Sequence, residues 1–157
     1  MKKKIYIFSL VFFLVDLISK IIMLNVGTKG PIKIIKNFFY LDLVSNKGAA
    51  FSILSGMTIL FVIIAVGVLF YLHKYVVTVA KDFLGVSLVI GGILGNLFDR
   101  VFRGGVVDFF SFNIGRHYFP VFNFADIFIC VGVALLIIEY AKGDVDEHKS
   151  RLFWGKN

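Results

Sequence analysis

Carboxylates set against apolar sequence are the first feature of this chain that could do chemistry. Asp16 interrupts the run Ile5 to Leu24, Asp99 closes a second apolar run, Asp108 stands between Val106-Val107 and Phe109-Phe110, and Asp126 follows Phe122-Asn-Phe-Ala. A charged group in hydrocarbon is costly and tends to carry function, so its depth and its partners are the informative quantities. Two carboxylates held close in a low-dielectric setting cannot both ionise, so they share one proton and titrate as a pair. The ionised member can take a proton from water while the protonated member polarises a carbonyl, which is the division of labour of an aspartic protease and needs no cofactor. Other schemes fit poorly. Cys130 is the single cysteine, deep in an apolar run with no His near it in sequence, so it reads as a packed thiol. Asp108, Ser111 and His117 hold the atoms of a Ser/His/Asp triad but lack a nucleophile elbow. No H-E-x-x-H and no paired Cys/His spacing is present, so no metal site is expected.

The elements that must position these residues follow from composition. Of 157 residues, 59% are hydrophobic and 17% aromatic, with 19 Phe, and the apolar residues lie in long runs. That excludes disorder and an ordinary water-soluble enzyme. Four stretches, about 5–24, 53–72, 83–101 and 121–140, approach the roughly 20 apolar residues that a helix needs to cross about 30 Å of hydrocarbon. The first follows Lys2-Lys3-Lys4 like a signal peptide, but Asp16 and Lys20 break it and no small-x-small cleavage site follows, so it reads as a retained helix. Pro120 suits the first turn of the fourth helix. The net charge of +7 forms no basic stripe beside stacking aromatics. An anionic membrane surface, and no nucleic acid, is therefore the expected partner. The Lys triplet favours an inside N-terminus, and four spans return the C-terminus to the same side. The segment at about 30–52 mixes β-branched and aromatic residues and reads as short outer strands. The Gly- and aromatic-rich segment at about 102–119 reads as lying along the membrane interface.

With this topology Asp16 and Lys20, Asn96, Asp99 and Arg100, Asn123 and Asp126, the segment Asn46 to Phe51, and Asp108 all fall in one layer near the outer leaflet. Asp16/Lys20, Asn96/Arg100 and Asn123/Asp126 are three or four residues apart and share helix faces. Gly91 and Gly95 form a G-x-x-x-G that would let a neighbouring helix approach and hold Asn96 against it. Taken alone, Asp16–Lys20 reads as an intrahelical ion pair, Asp99–Arg100 as an interfacial salt bridge, and Asp126 as a carboxylate at a helix N-terminus. Asp108 has no such bland reading, because it needs a partner.

The segments Asp16-Leu-Ile-Ser-Lys20, Asn46-Lys-Gly-Ala-Ala-Phe51, Gly95-Asn-Leu-Phe-Asp-Arg100, Val106-Val-Asp-Phe109 and Phe122-Asn-Phe-Ala-Asp126 resemble, in order and spacing, those of the lipoprotein signal peptidases (signal peptidase II). The resemblance runs from the first helix through the fourth. It implies a single integral membrane domain over 1–157, with four transmembrane helices, a small extracytoplasmic β-cradle and a short interfacial helical segment. It implies an aspartic endopeptidase of the bacterial cell membrane, both termini cytoplasmic and the active site toward the outer face. Its substrate would be a lipid-modified prolipoprotein, cleaved before the diacylglyceryl-cysteine, with inhibition by globomycin and no cofactor. The implied dyad is Asp108 and Asp126. Asn46, Gly48, Asn96, Arg100 and Asn123 match positions that line the site, and Asp16, Lys20 and Asp99 match supporting positions. Ile127 stands where the family commonly has Ser, and the basic segment of Lys29, Lys33 and Lys36 matches no family signature. Nothing in the chain implies an oligomer. The competing reading is a small membrane transporter or channel subunit that uses Asp16, Asp108 and Asp126 as ion sites.

Overall fold

The computed structural model describes residues 2–27, 30–48, 57–76, 83–115 and 117–153. Within them lie four helices, α1 (Lys2–Val26), α2 (Thr58–Tyr71), α3 (Phe83–Arg103) and α4 (Phe124–Phe153), and four strands, β1 (Ile32–Ile35), β2 (Phe39–Asn46), β3 (Val106–Ile114) and β4 (His117–Tyr118). A π-helical turn, Leu72–Val76, prolongs α2. At 1.5 Å per residue, the 25 residues of α1 and the 21 of α3 span about 38 and 32 Å. With the apolar part of α4, Phe124–Lys142, these are the three helices long and apolar enough to cross a bilayer. The apolar helix Thr58–Lys74 is shorter. The expected start of this helix near residue 53 lies outside the described residues.

α3 is the central helix, with α1 and α4 packed on it. Glycine makes both contacts close. A Cβ on Gly91 would stand 2.8 Å from the Ser9 carbonyl oxygen of α1, and one on Gly132 of α4 would stand 2.7 Å from the Gly85 carbonyl oxygen of α3. Neither helix could sit where it does with alanine there. α1 buries a single stripe, Ile5, Ser9, Asp16, Lys20 and Met23, at helical spacing, and leaves apolar residues such as Leu10, Ile18 and Ile22 exposed, as a lipid-facing helix does. Ile5, Leu72, Val86, Val89 and Ile90 form the apolar core at the end of the bundle away from the polar residues.

The strands form one antiparallel sheet in the order β1-β2-β3-β4. Val44 pairs with Asp108 and Asn46 with Val106, and an irregularity between Leu41 and Val44 shifts the register beyond them. Most of residues 102–119, expected as an outer segment along the membrane interface, form β3 and β4. Val106-Val-Asp-Phe-Phe-Ser-Phe-Asn-Ile is β-branched and aromatic, is bounded by Gly104-Gly105 and Gly115, and finds a partner in β2. The start of the last helix is also later than expected. Pro120 lies outside it, and α4 begins at Phe124, where Asn123 and Asp126 cap it reciprocally: Asp126 N–H donates to Asn123 Oδ1 (3.0 Å) and Asn123 N–H to Asp126 Oδ2 (3.2 Å). This is a capping box built from Asn and Asp. Just before it, Phe122 exchanges backbone hydrogen bonds with Phe110 of β3 (2.8 and 3.1 Å), and the stacked rings of Phe39, Phe112 and Phe122 fasten the lead-in of α4 to the sheet.

Candidate active site

The polar residues converge where the sheet meets α1, α3 and α4. Asp108 reaches the site from β3 and is 2% exposed. Its Oδ2 accepts from Asn46 Nδ2 on β2 (2.9 Å) and its Oδ1 from Asn123 Nδ2 (2.6 Å). Burial pushes the Asp108 carboxyl up to about 6. The Asn46 amide pulls the other way, and the negative Asp126 adds to the rise. Asp126, in the first turn of α4, accepts from Asn96 Nδ2 of α3 at Oδ1 (2.8 Å) and from the Asn123 backbone at Oδ2. Asn123 thus holds both carboxylates, one by its side chain and one by its main chain.

A second layer stands behind the first. The Lys20 ammonium is 0% exposed, forms ion pairs with Asp16 Oδ2 (2.7 Å) and Asp99 Oδ2 (2.8 Å), and donates to Asn96 Oδ1 (3.0 Å). Both acids have further partners. Asp16 Oδ1 accepts from Ala125 N–H of α4 (2.9 Å), and Asp99 Oδ2 accepts from Val107 N–H of β3 (3.1 Å) while its Oδ1 meets Arg103. A lone buried charge would be prohibitive, but here every charge has opposite charges and hydrogen bonds around it. Gly95 lies against the Asp16 carboxylate, where a side chain would not fit. Arg100 donates to the Asn96 carbonyl (3.3 Å), lies 5.2 Å from the centroid of the Phe61 ring of α2, and feels the charges of Asp126 and Asp108.

The residues expected to form or support the site therefore come to one place. Asp16, Lys20, Asn96, Asp99, Arg100, Asp108, Asn123 and Asp126 are joined directly or through one neighbour, Asn46 touches Asp108, and Gly48 N–H holds Asn46 Oδ1 (3.0 Å). Two isolated readings change. Asp99 pairs with Lys20 and Arg103, and Asp16–Lys20 is one edge of a larger network. Arg103 joins the network as a partner of Asp99, and its i+4 spacing from that residue is the usual signal for such a pair. The backbone donors of Val107 and Ala125 carry no sequence signal. Cys130 is exposed on α4, and Ile127 follows Asp126 without contributing a side-chain hydrogen bond to it. Lys33 and Lys36 are exposed on β1 and its turn, while Lys29 lies outside the described residues. Among the described residues no group of three His, Cys, Asp or Glu could hold a metal ion.

Apolar helices close over two carboxylates, Asp108 buried and Asp126 half-buried, in a fold shared with solved membrane enzymes. Residues 8–142 match the family model described as Signal peptidase (SPase) II, and the chain belongs to that protease family. It is 40% identical over 144 residues to a lipoprotein signal peptidase of Clostridium novyi (strain NT), covering 88% of this chain and 95% of that one. It is 40% identical over 142 residues to the lipoprotein signal peptidase of Bacillus pumilus (strain SAFR-032), covering 85% and 90%. A solved bacterial membrane enzyme, determined by the in meso method at 2.3 Å resolution, superposes with a TM-score of 0.79 at 33% identity over 90% of both chains. These relatives give no support to a transporter.

Proposed function

We propose that this protein removes signal peptides from bacterial prolipoproteins by hydrolysing the peptide bond before a diacylglyceryl-modified cysteine, with Asp108 and Asp126 as its acid–base pair. Family membership supports the reaction, and one observation carries the assignment of residues: two carboxylates, from β3 and from α4, are hydrogen-bonded to the same asparagine in a buried site. The pair holds one proton. Its ionised member takes a proton from water as the oxygen attacks the scissile carbonyl. The protonated member gives its proton to the carbonyl oxygen, and a tetrahedral diol forms. Collapse of the diol breaks the C–N bond, with the proton first taken from water going to the leaving amine, so that peptide plus water becomes acid plus amine and the pair regains one proton. Asp108, pushed up to about 6, suits the proton-carrying role. A lipid-bearing substrate is presented within the bilayer, and a dyad at the outer end of the helices meets both the scissile bond and water. We place both termini in the cytoplasm and the sheet outside on the strength of the Lys2-Lys3-Lys4 triplet.

The test is cleavage of a diacylglyceryl prolipoprotein peptide by purified protein in detergent. Asp108→Asn and Asp126→Asn should each lower the rate at least ~10²-fold, the usual scale for losing a general acid or base, in a protein that still folds. Normal cleavage by either variant overturns the dyad. Globomycin should inhibit the wild type.

A further inference from the structure

The three asparagines around the carboxylates share an arrangement that the mechanism above does not use. An asparagine amide presents either its oxygen or its NH2 to a given neighbour, and which one is decided by what lies behind it. Asn46 Oδ1 is held by Gly48 N–H, Asn123 Oδ1 by Asp126 N–H, and Asn96 Oδ1 by the Lys20 ammonium (3.0 Å) and by Asn123 Nδ2 (3.2 Å). Each of these groups can only donate. A flipped amide would set NH2 against N–H at its back and oxygen against carboxylate at its front, two repulsions where there are now two bonds. Each amide must therefore turn its N–H2 toward the dyad: Asn46 and Asn123 to Asp108, and Asn96 to Asp126.

Two of the locks are backbone groups, and the third is made by side chains, of which the Lys20 ammonium is the shorter and the charged one. We infer that Lys20 is a positioning residue that fixes the amide of Asn96 so that a donor, never an acceptor, faces Asp126. This rests on the reading of Asp108 and Asp126 as the reacting pair. Its chemical sense is that a collar made only of donors stabilises charge on the dyad where burial opposes it, so that one carboxylate stays ionised to act as base. The alternative, a lysine that merely neutralises Asp16 and Asp99, would leave the direction of the Asn96 amide without consequence. The charged groups facing Asn96 and Asp126 are Lys20 and Asp16 from α1, Asp99 and Arg100 from α3, and Asp108 from β3.

Two variants of the full-length protein separate these roles, each assayed on the diacylglyceryl peptide across pH. Asp16→Asn/Lys20→Met removes the ammonium together with one acid, so buried charge stays balanced while Asp99 keeps Arg103 and Val107 N–H. Compared with Asp16→Asn alone, it should lose about 10- to 100-fold in kcat, the scale of one charge-assisted hydrogen bond, with KM within about twofold and a displaced alkaline limb of the pH–rate profile. Asn96→Asp keeps an oxygen for Lys20 but turns a second oxygen on Asp126. It should be folded and nearly inactive at neutral pH, then regain activity as the pH falls and the new carboxyl becomes a donor. Were the double variant to unfold, Asn96→Asp still decides the matter. The inference is overturned if Asn96→Asp keeps the wild-type rate and profile, or if the folded double variant matches Asp16→Asn in both. Cleavage by Asp108→Asn or Asp126→Asn would instead overturn the dyad beneath it.

Discussion

Asp108 shows how far a functional group can work against the fold that contains it. Its carboxyl ordinarily titrates near 3.8 and is pushed to about 6 here, so between those values the folded chain binds a proton that the unfolded chain releases. Stability must then fall as pH rises through that window, and above it the ionised form costs up to ~3 kcal/mol. Asp108→Asn removes that cost. Part of the gain is returned, because an amide at this position turns an NH2 toward Asn46. The variant should therefore melt at a higher temperature than wild type in detergent at about pH 8, and the difference should vanish by about pH 4. A variant no more stable at either pH would mean that the Asn46 and Asn123 amides fully compensate burial. The importance of Asp108 is legible in the sequence, since a carboxylate inside Val-Val-Asp-Phe-Phe has no cheap explanation. Its direct partners are not, because Asn46 and Asn123 lie 62 and 15 residues away.

At the level of elements, hydropathy revealed α1 and α3 because an apolar run of that length has few other uses. It set the segment of β3 apart from the spans without showing a strand there, because the partner that pairs with it, β2, lies about 60 residues earlier in the chain. The start of α4 misled for a related reason. Pro120 and the Asn123/Asp126 box both mark helix starts, and the box prevails because it satisfies amide groups that the proline leaves open. The glycines of α3 were legible as packing residues, and the structure makes the statement quantitative. A Cβ on Gly91 would stand 2.6 Å from Phe12 Cβ and 2.8 Å from the Ser9 carbonyl, so Gly91→Ala should displace α1 and cost about 1–3 kcal/mol. Gly67, inside α2, has nothing within 4 Å of that position. Gly67→Ala should be neutral or stabilising by up to ~1 kcal/mol. Thermal unfolding of the two variants in one detergent gives the comparison, and equal effects would remove the close approach of α1 and α3 as the reason for the glycine.

For the whole molecule, the open quantity is direction in the membrane, where the charge bias is slight. In a Cys130→Ser background, a cysteine placed at Lys47 should react with an impermeant reagent added from outside, and one placed at Lys81 should not. The reverse pattern would turn the site toward the cytoplasm. Molecule-wide too is the bond from Ala125 N–H to Asp16, which joins residues 109 apart in the chain. Asp16 also holds Lys20, and through Lys20 the amide that faces Asp126. During synthesis α1, α3 and the sheet can all be made before α4 and its lead-in supply Asn123, Ala125 and Asp126, and until then neither layer around the proposed dyad is complete. With Asp108 and Asp126 as the proposed pair, a ribosome-bound chain that stops short of α4 should be proteolytically silent. On that reading the membrane would meet the active peptidase only once α4 has been inserted, and the order of synthesis would itself keep the enzyme latent.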